Sequence, residues 1–327
     1  MKILHVLLSR KPLPPPKYGG TERVVWALSK AQEAQGHELR FLWGKASSLP
    51  PNVTVCRRDM PINAQIGTWP DIVHFHFPYY DELDIPFVCT EHFNNVFQRP
   101  YPSNTIFLSR KHADLNGADC FVYNGLDWSR YGEPNLTDPA DYFHFIGKSR
   151  LAAKNLRGAI DIAQLAGVKL RVLGGRRLNI GRGSYFYPQR HVRFCGELGG
   201  PKKHEIIRDS QGLICPVRWH EPFGLVIIES LFLGAPVFAT PYGSLPELIE
   251  SPDIGFLSAH SQELADAIGQ VGDFDRRRCH EVARTKYGAD TMAHNYMNCY
   301  ERVINGEQLN ARPPIASGAG LELLPFT

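Results

Sequence analysis

The 327-residue sequence predicts an α/β protein of two domains, each a parallel sheet with helices on both faces. Short apolar, strand-like runs alternate with helical patterns throughout, the order that builds parallel sheets through crossovers. The length exceeds what one hydrophobic core ordinarily serves. A polar stretch containing Pro and Asp, Tyr131 to Asp141, separates two like-built halves and reads as a linker. The expected bounds are 1–135 for the first domain and 136–295 for the second. Residues 296–327 are the end of a last helix and a tail.

The first half opens on a strand at 2–8, followed by a Pro-rich loop at 10–18. A helix runs from Gly20 to Gln35, and Gly36-His37 closes it before a second strand, Glu38 to Trp43. Further strand-like runs lie at 71–76, 86–90, 105–108 and 121–125. Few long helices separate them, so this half is lean. The second half gives a strand at 142–147, a helix at 155–166, and strands at 168–173 and 191–195. A helix at 202–209 and a strand at 212–217 follow, and then residues 221–229, a strand at 234–240 and a loop at 243–249 leading into a helix. Residues 261–271 and 276–304 are helical in pattern, and the tail from Arg312 is expected to be loosely ordered.

Composition excludes several classes. Hydrophobic content of 43% and charged content of 21% describe an ordinary soluble globular chain. The net charge of +3 comes with no long basic run or aromatic-basic repeat, which argues against nucleic acid as a partner. It suits an anionic small molecule, or weak peripheral contact with an acidic membrane surface. Seven scattered cysteines include no C-x-x-C pair and read as buried free thiols in a reducing compartment. The first apolar run is too short for a signal peptide, and no stretch approaches a bilayer span. The expected location is cytoplasmic, peripheral to a membrane at most.

The most informative stretch is Glu221-Pro222-Phe223-Gly224-Leu225-Val226-Ile227-Ile228-Glu229. On a helix its two carboxylates, eight apart, fall on roughly one face. Pro222 suits a helix entry, and Gly224 lets a ligand approach the backbone. Free N–H groups at that helix start would seat an anion such as a diphosphate. Spacing alone fits an ordinary amphipathic helix with two solvated glutamates equally well. The strands on either side, and the Gly243-Ser244-Leu245-Pro246-Glu247 loop after them, put the segment beyond the strand ends, where open α/β sheets bind ligands.

Other segments carry weaker signals. Tyr18-Gly19-Gly20-Thr21-Glu22-Arg23 allows a tight turn before the first helix, but it is not G-x-G-x-x-G, so the dinucleotide fingerprint fails. Lys148, Arg150 and Lys154 follow a strand end and could neutralise a departing diphosphate; a solvated basic loop is the plain alternative. His92 ends the strand-like run at 86–90, and most lone histidines are structural. His74 and His76 alternate on a strand, but the sequence places no third metal ligand beside them. Asp273-Phe274-Asp275 mimics a metal-binding D-x-D, yet its position reads as a helix cap. Arg276-Arg277-Arg278 reads as a solvated face.

The E-x7-E spacing, the EPFGL start, the Gly234-Ala235-Pro236-Val237 strand and the G-x-x-PE loop together closely resemble the donor-binding core of the retaining glycosyltransferases of family 4. The resemblance covers most of the chain and is strongest from Gly147 to Leu248. It implies the GT-B fold: two Rossmann-like domains, a central cleft, and a last helix crossing back to the first domain. It implies metal-independent hexosyl transfer, with retention, from a nucleotide-diphosphate sugar to a hydroxyl, UDP being preferred to GDP. No cofactor is implied.

By the same resemblance, Glu229 would hold ribose hydroxyls and Glu221 sugar hydroxyls near the reacting carbon. Phe223, Gly224 and Leu225 would offer backbone N–H groups, and Gly19 and Gly20 would face the donor phosphate and the acceptor. His92 would hydrogen-bond a sugar hydroxyl, and Asn124-Gly125-Leu126-Asp127 would be a structural turn. Arg150 and Lys154 would stabilise the leaving diphosphate, doing what Mg2+ does elsewhere. The sequence departs from the family here: Lys148 stands directly after Gly147 as an alternative arginine equivalent, and the interval to Lys154 is one residue off. A GT-B epimerase, a phosphorylase, or a catalytically poor nucleotide-sugar scaffold remain alternatives. The last is motivated by the lean first half. Base, sugar and acceptor (lipid, polysaccharide, natural product or small thiol carrier) are left open.

Overall fold

The computed structural model describes residues 1–16, 19–45, 49–179, 185–318, 320 and 322–327. The chain folds as two compact units. One is Met1–Asp127 with Tyr287–Gly320; the other is Trp128–Lys286 with the last described residues, 322–327. These bounds are discontinuous, unlike the three successive segments expected from sequence, because the chain returns to the first unit at Tyr287.

In the first unit come β1 (Lys2–Leu7), α1 (Gly20–Ala34), β2 (Glu38–Trp43), β3 (Val53–Val55) and α2 (Asn63–Ile66). Then follow β4 (Ile72–Phe75), β5 (Phe87–Thr90), β6 (Thr105–Ile106) and α3 (Arg110–Leu115). The six strands form one sheet in the order β3-β2-β1-β4-β5-β6, every pairing parallel. β4 is buried along its whole length, as expected of a parallel strand covered on both faces. The run at 121–125 does not become a strand. Phe121 makes one isolated bridge to Phe107, and Gly125 packs so tightly that an added Cβ would lie 2.3 Å from the Gly288 carbonyl. This turn is structural, clasping the start of the last helix.

The second unit runs β7 (Phe143–Ile146), α4 (Leu156–Leu165), β8 (Leu170–Leu173), β9 (Leu178–Asn179), β10 (Tyr185–Phe186) and β11 (Val192–Gly196). It continues through α5 (Gly200–Arg208), β12 (Leu213–Cys215), α6 (Leu225–Phe232), β13 (Val237–Ala239) and α7 (Leu245–Leu248). It ends with β14 (Gly255–Leu257), α8 (Ser261–Gly269) and α9 (Arg276–Lys286). The sheet order is β11-β8-β7-β12-β13-β14, and β9 and β10 form a separate hairpin. Leaving out the hairpin, both sheets follow the doubly wound order third, second, first, fourth, fifth, sixth. The order reverses between β1 and β4 and between β7 and β12, the positions where such sheets leave a crevice for ligands.

The helical pattern at 276–304 divides. α9 ends at Lys286, Gly288 is extended, and α10 (Ala289–Ile304) restarts and packs on α1 and β5. α10 buries Met292, Tyr296, Met297 and Tyr300. Two expectations are corrected. The tail is anchored, not loose: Asn310 and Ala316 are fully buried, and Leu324 and Arg218 exchange two hydrogen bonds. Arg276 is not solvated with its neighbours. Its guanidinium donates to the carbonyls of Asn135, Arg208, Ser210 and Gln211. Asp275 does cap α9, accepting from the N–H groups of Arg277 and Arg278.

Candidate active site

In the second unit the loops after β7 and β12 bring two expected residues together. Beyond β7 a short 3-10 turn, Ala152–Lys154, ends at Asn155, which is left-handed with φ 53°. Asn155 Oδ1 accepts from the Gly158 N–H and caps α4, while its Nδ2 donates to the Pro216 carbonyl. That side chain fastens the β7 loop to the end of β12 and aims Lys154 at Glu221. Lys154 Nζ lies 2.5 Å from Glu221 Oε2, and Trp219 Nε1 donates to the same oxygen at 2.8 Å. The ammonium also sits 5.0 Å from the centre of the Trp219 ring. The Lys154 and Glu221 side chains are 21% and 12% exposed, so the pair is sheltered but reachable.

Glu221 and Glu229 do not share a helix face. Gly224 is left-handed (φ 91°) and α6 begins only at Leu225, so Glu221 stays in the preceding loop. The loop is held from behind by the Gly243-Ser244 turn. Ser244 N–H donates to the Glu221 carbonyl at 2.9 Å and Ser244 Oγ to that of Phe223 at 2.6 Å. Gly243 is left-handed, and a Cβ there would lie 2.3 Å from both Glu221 N and O. Phe223 is buried beneath the loop, and no side chain caps the N-terminus of α6 at Gly224 and Leu225.

Glu229 lies inside the unit, its side chain 1% exposed. Lys203 on α5 donates to both its oxygens, at 2.6 and 2.7 Å, and the Tyr131 hydroxyl donates to one at 2.7 Å. Tyr131 in turn stacks on His204, with ring centres 4.2 Å apart. In this structure the carboxylate is held by protein groups, a geometry suited to a buried anchor. Arg150 is exposed and makes no ion pair among the described residues; Lys148 is half-buried in the same loop. Sequence reasoning passed over Trp219, Lys203 and Tyr131. Trp219 was open to it, standing two residues before Glu221. Lys203 was one of two adjacent lysines on an amphipathic helix.

In the first unit Gly19 precedes α1, which starts at Gly20; Tyr18 lies outside the described residues. A Cβ on Gly19 would meet Glu22 Oε2 at 2.8 Å. Glu22 accepts from Ser9 Oγ at 2.6 Å and Lys11 Nζ at 3.2 Å, which ties the loop after β1 to the first turn of α1.

His92 is buried at the end of β5, its Nε2 3.2 Å from His76 Nδ1. His5 on β1 pairs in register with His74, and the structure supplies the third histidine that the sequence could not place. His5, His74 and His76 bring ligand atoms within 4.8 Å of one another. Their ring nitrogens are already engaged. His5 contacts His76 Nε2 at 3.0 Å and Gln32 Oε1 at 2.9 Å; His74 contacts the Tyr300 hydroxyl and Thr90 Oγ1, each at 2.7 Å. The cluster is therefore satisfied by hydrogen bonds alone. Burial pushes His5 down to about 4 and His92 to about 3, with His74 and His76 also well below the usual range. All four are neutral at neutral pH.

Paired doubly wound sheets, with a carboxylate and an ammonium meeting at the switch point of the second, define a GT-B type protein. Residues 142–273 match the family described as glycosyl transferases group 1, and the protein is a glycosyltransferase whose second unit carries that domain. The chain is 24% identical to a phosphatidyl-myo-inositol mannosyltransferase of Mycolicibacterium smegmatis, over 87% of this chain and 90% of that protein. It is 21% identical to the O-antigen chain mannosyltransferase C of Escherichia coli, over 94% of this chain and all of that protein. Its fold is shared with AviGT4, a glycosyltransferase involved in avilamycin A biosynthesis (TM-score 0.76, 21% identity, 93% of this chain and 98% of that one). It is shared also with Anabaena HepE in complex with UDP-glucose (TM-score 0.65, 17% identity, 92% and 99%). Among the described residues no helix is long and apolar enough to cross a membrane.

Proposed function

We propose that the protein moves a hexosyl group from a nucleoside-diphosphate sugar to an acceptor hydroxyl, with retention and without a divalent metal. The observation that carries this reading is the Lys154–Glu221 contact, 2.5 Å, beside the start of α6. Breaking the anomeric bond builds positive charge on the sugar and negative charge on the diphosphate. The ammonium and the first-turn N–H groups of α6, from Leu225 on, are suited to the diphosphate. In the resting site Lys154 and Trp219 hold Glu221 ready. When a donor binds, Lys154 turns to the phosphates and the carboxylate is released to sugar hydroxyls. Arg150, exposed in the same loop, swings in as the second cation, and Lys148 is the alternative. On the first unit, His92 is the contact for a sugar hydroxyl, and the Gly19-Gly20 turn that for the donor phosphate and the acceptor. Glu229 acts mainly by holding the floor of the site, since Lys203 and Tyr131 occupy its oxygens.

Two lines bear on the donor. A structural neighbour holds UDP-glucose, while several sequence relatives are mannosyltransferases. A uridine diphosphate donor with a gluco- or manno-configured sugar is the reading tested first. Thermal shift with UDP, GDP, ADP and their glucose, N-acetylglucosamine and mannose conjugates, in EDTA, is the experiment. A ligand at a hundred times its Kd should stabilise the protein by about 2.7 kcal/mol. One base should give the shift in EDTA, and Lys154→Met should abolish it. No shift for any donor sinks the reading; a shift only after adding Mg2+ sinks its metal independence.

A further inference from the structure

The strands of the first unit carry a buried polar chain that the proposed reaction leaves unexplained. His5 on β1, His76 just past β4 and His92 just past β5 form a file of imidazoles running from Gln32 on α1. A second branch runs from Gln32 Nε2 to the Tyr300 hydroxyl at 3.3 Å, then to His74, Thr90 and Tyr296. All of these side chains are buried. A neutral imidazole has one donor and one acceptor nitrogen, so each bond in the file fixes the next.

Gln32 sets the direction. Its Nε2 faces Met297 Sδ at 3.9 Å as well as the Tyr300 hydroxyl. A thioether can only accept, so the amide nitrogen belongs on that side and Oε1 faces His5. His5 must then donate through Nε2 and accept at Nδ1. His76 must donate to it through Nε2 and accept at Nδ1, and His92 must donate to His76 through Nε2. The other branch is satisfied by the same choice: Tyr300 accepts from Gln32 and donates to His74 Nδ1, and His74 donates to Thr90. Turning the Gln32 amide over would reverse every bond in the His5–His76–His92 file and set oxygen against sulfur.

We infer that Gln32, His5 and His76 are positioning residues that lock His92 in the Nε2–H tautomer, leaving Nδ1 as a fixed hydrogen-bond acceptor for a substrate hydroxyl. Among the described residues Nδ1 has no partner, and His92 is 8% exposed. An acceptor nitrogen recognises a sugar or acceptor O–H and repels a phosphate oxygen. This assigns His92 to the hydroxyl side of the reaction and not to the diphosphate. The inference rests on the reading of His92 as a substrate contact, given above.

The test is side-chain nitrogen NMR of the full-length protein with labelled histidine, together with donor-saturation kinetics. In the wild type, His5, His76 and His92 should all show the Nε2–H signature. In His76→Phe, His92 should lose its single tautomer, and kcat/KM should fall about three- to tenfold, the worth of one neutral hydrogen bond. In His76→Gln, whose amide can accept from His92 and donate to His5, tautomer and rate should both recover. Gln32→Leu gives a second route to the same loss if His76→Phe does not fold. An Nδ1–H His92 in the wild type overturns the inference before any variant is made. So does a His92 tautomer unchanged in His76→Phe and Gln32→Leu. If the tautomers behave as expected but His92→Ala keeps the full rate, the relay stands and the substrate contact of His92 falls.

Discussion

At the scale of single residues, two carboxylates that look equivalent in sequence have different surroundings and different expected phenotypes. Glu221 is reachable and sits beside Lys154 and Trp219. Glu221→Gln keeps the shape and loses the charge; kcat/KM should fall about a hundredfold with little change in melting temperature. Unchanged turnover would remove Glu221 from the chemistry. Glu229 is sealed against Lys203. Lys203→Met leaves a buried carboxylate uncompensated and should cost about 3–5 kcal/mol in urea unfolding. The double change Lys203→Met with Glu229→Leu should recover much of that. A fully additive double mutant would show that the pair is not coupled. The E-x7-E spacing makes both acids visible in the sequence. It says nothing of Lys203, whose approach depends on how α5 packs against α6.

At the scale of elements, the Glu221 loop is shaped by its neighbours more than by its own residues. Pro222 and Gly224 suggest a helix starting near Glu221, but Gly224 takes a left-handed conformation and α6 starts after it. Gly243, on a different loop, is what leaves room for Glu221. Gly243→Ala meets both a left-handed backbone and the main chain at 2.3 Å. It should cost at least about 2 kcal/mol and depress activity through Glu221. Gly224→Ala meets only ordinary contacts, nearest at 3.4 Å, so its cost should be the backbone term alone, about 1 kcal/mol. If the two variants unfold at the same urea concentration, Gly243 does not support the Glu221 loop. The strands and long helices were legible because their apolar periods are strong. The short β3, α2 and β14, and the β9–β10 hairpin, were not, since two to four residues carry no period.

At the scale of the whole molecule, buried neutral histidines link stability to pH. Burial holds His5 and His112 at about 4 and His92 and His144 at about 3, with His74 and His76 also well below their usual value of 6.5. The unfolded chain takes up these protons first as pH falls. Stability is therefore full above about pH 6.5 and is lost as pH drops toward 4, by about 1.4 kcal/mol per pH unit for each histidine. Urea midpoints measured from neutral pH down to about pH 5 should fall steeply, and His144→Asn should make the fall shallower. A flat profile would mean that these side chains are protonated in the native state. The sequence by itself determined the α/β class, the doubly wound halves and the segments that hold the candidate site residues. Apolar periodicity and glycine-proline punctuation are local properties, and they are readable one segment at a time. Only the tertiary structure decided which charges meet. Lys154 pairs with Glu221, Lys203 with Glu229, and His5 joins His76 and His92, across 67, 26 and 71 or more residues of chain. Those meetings are set by strand order and by where each loop leaves its sheet, and no local pattern encodes them.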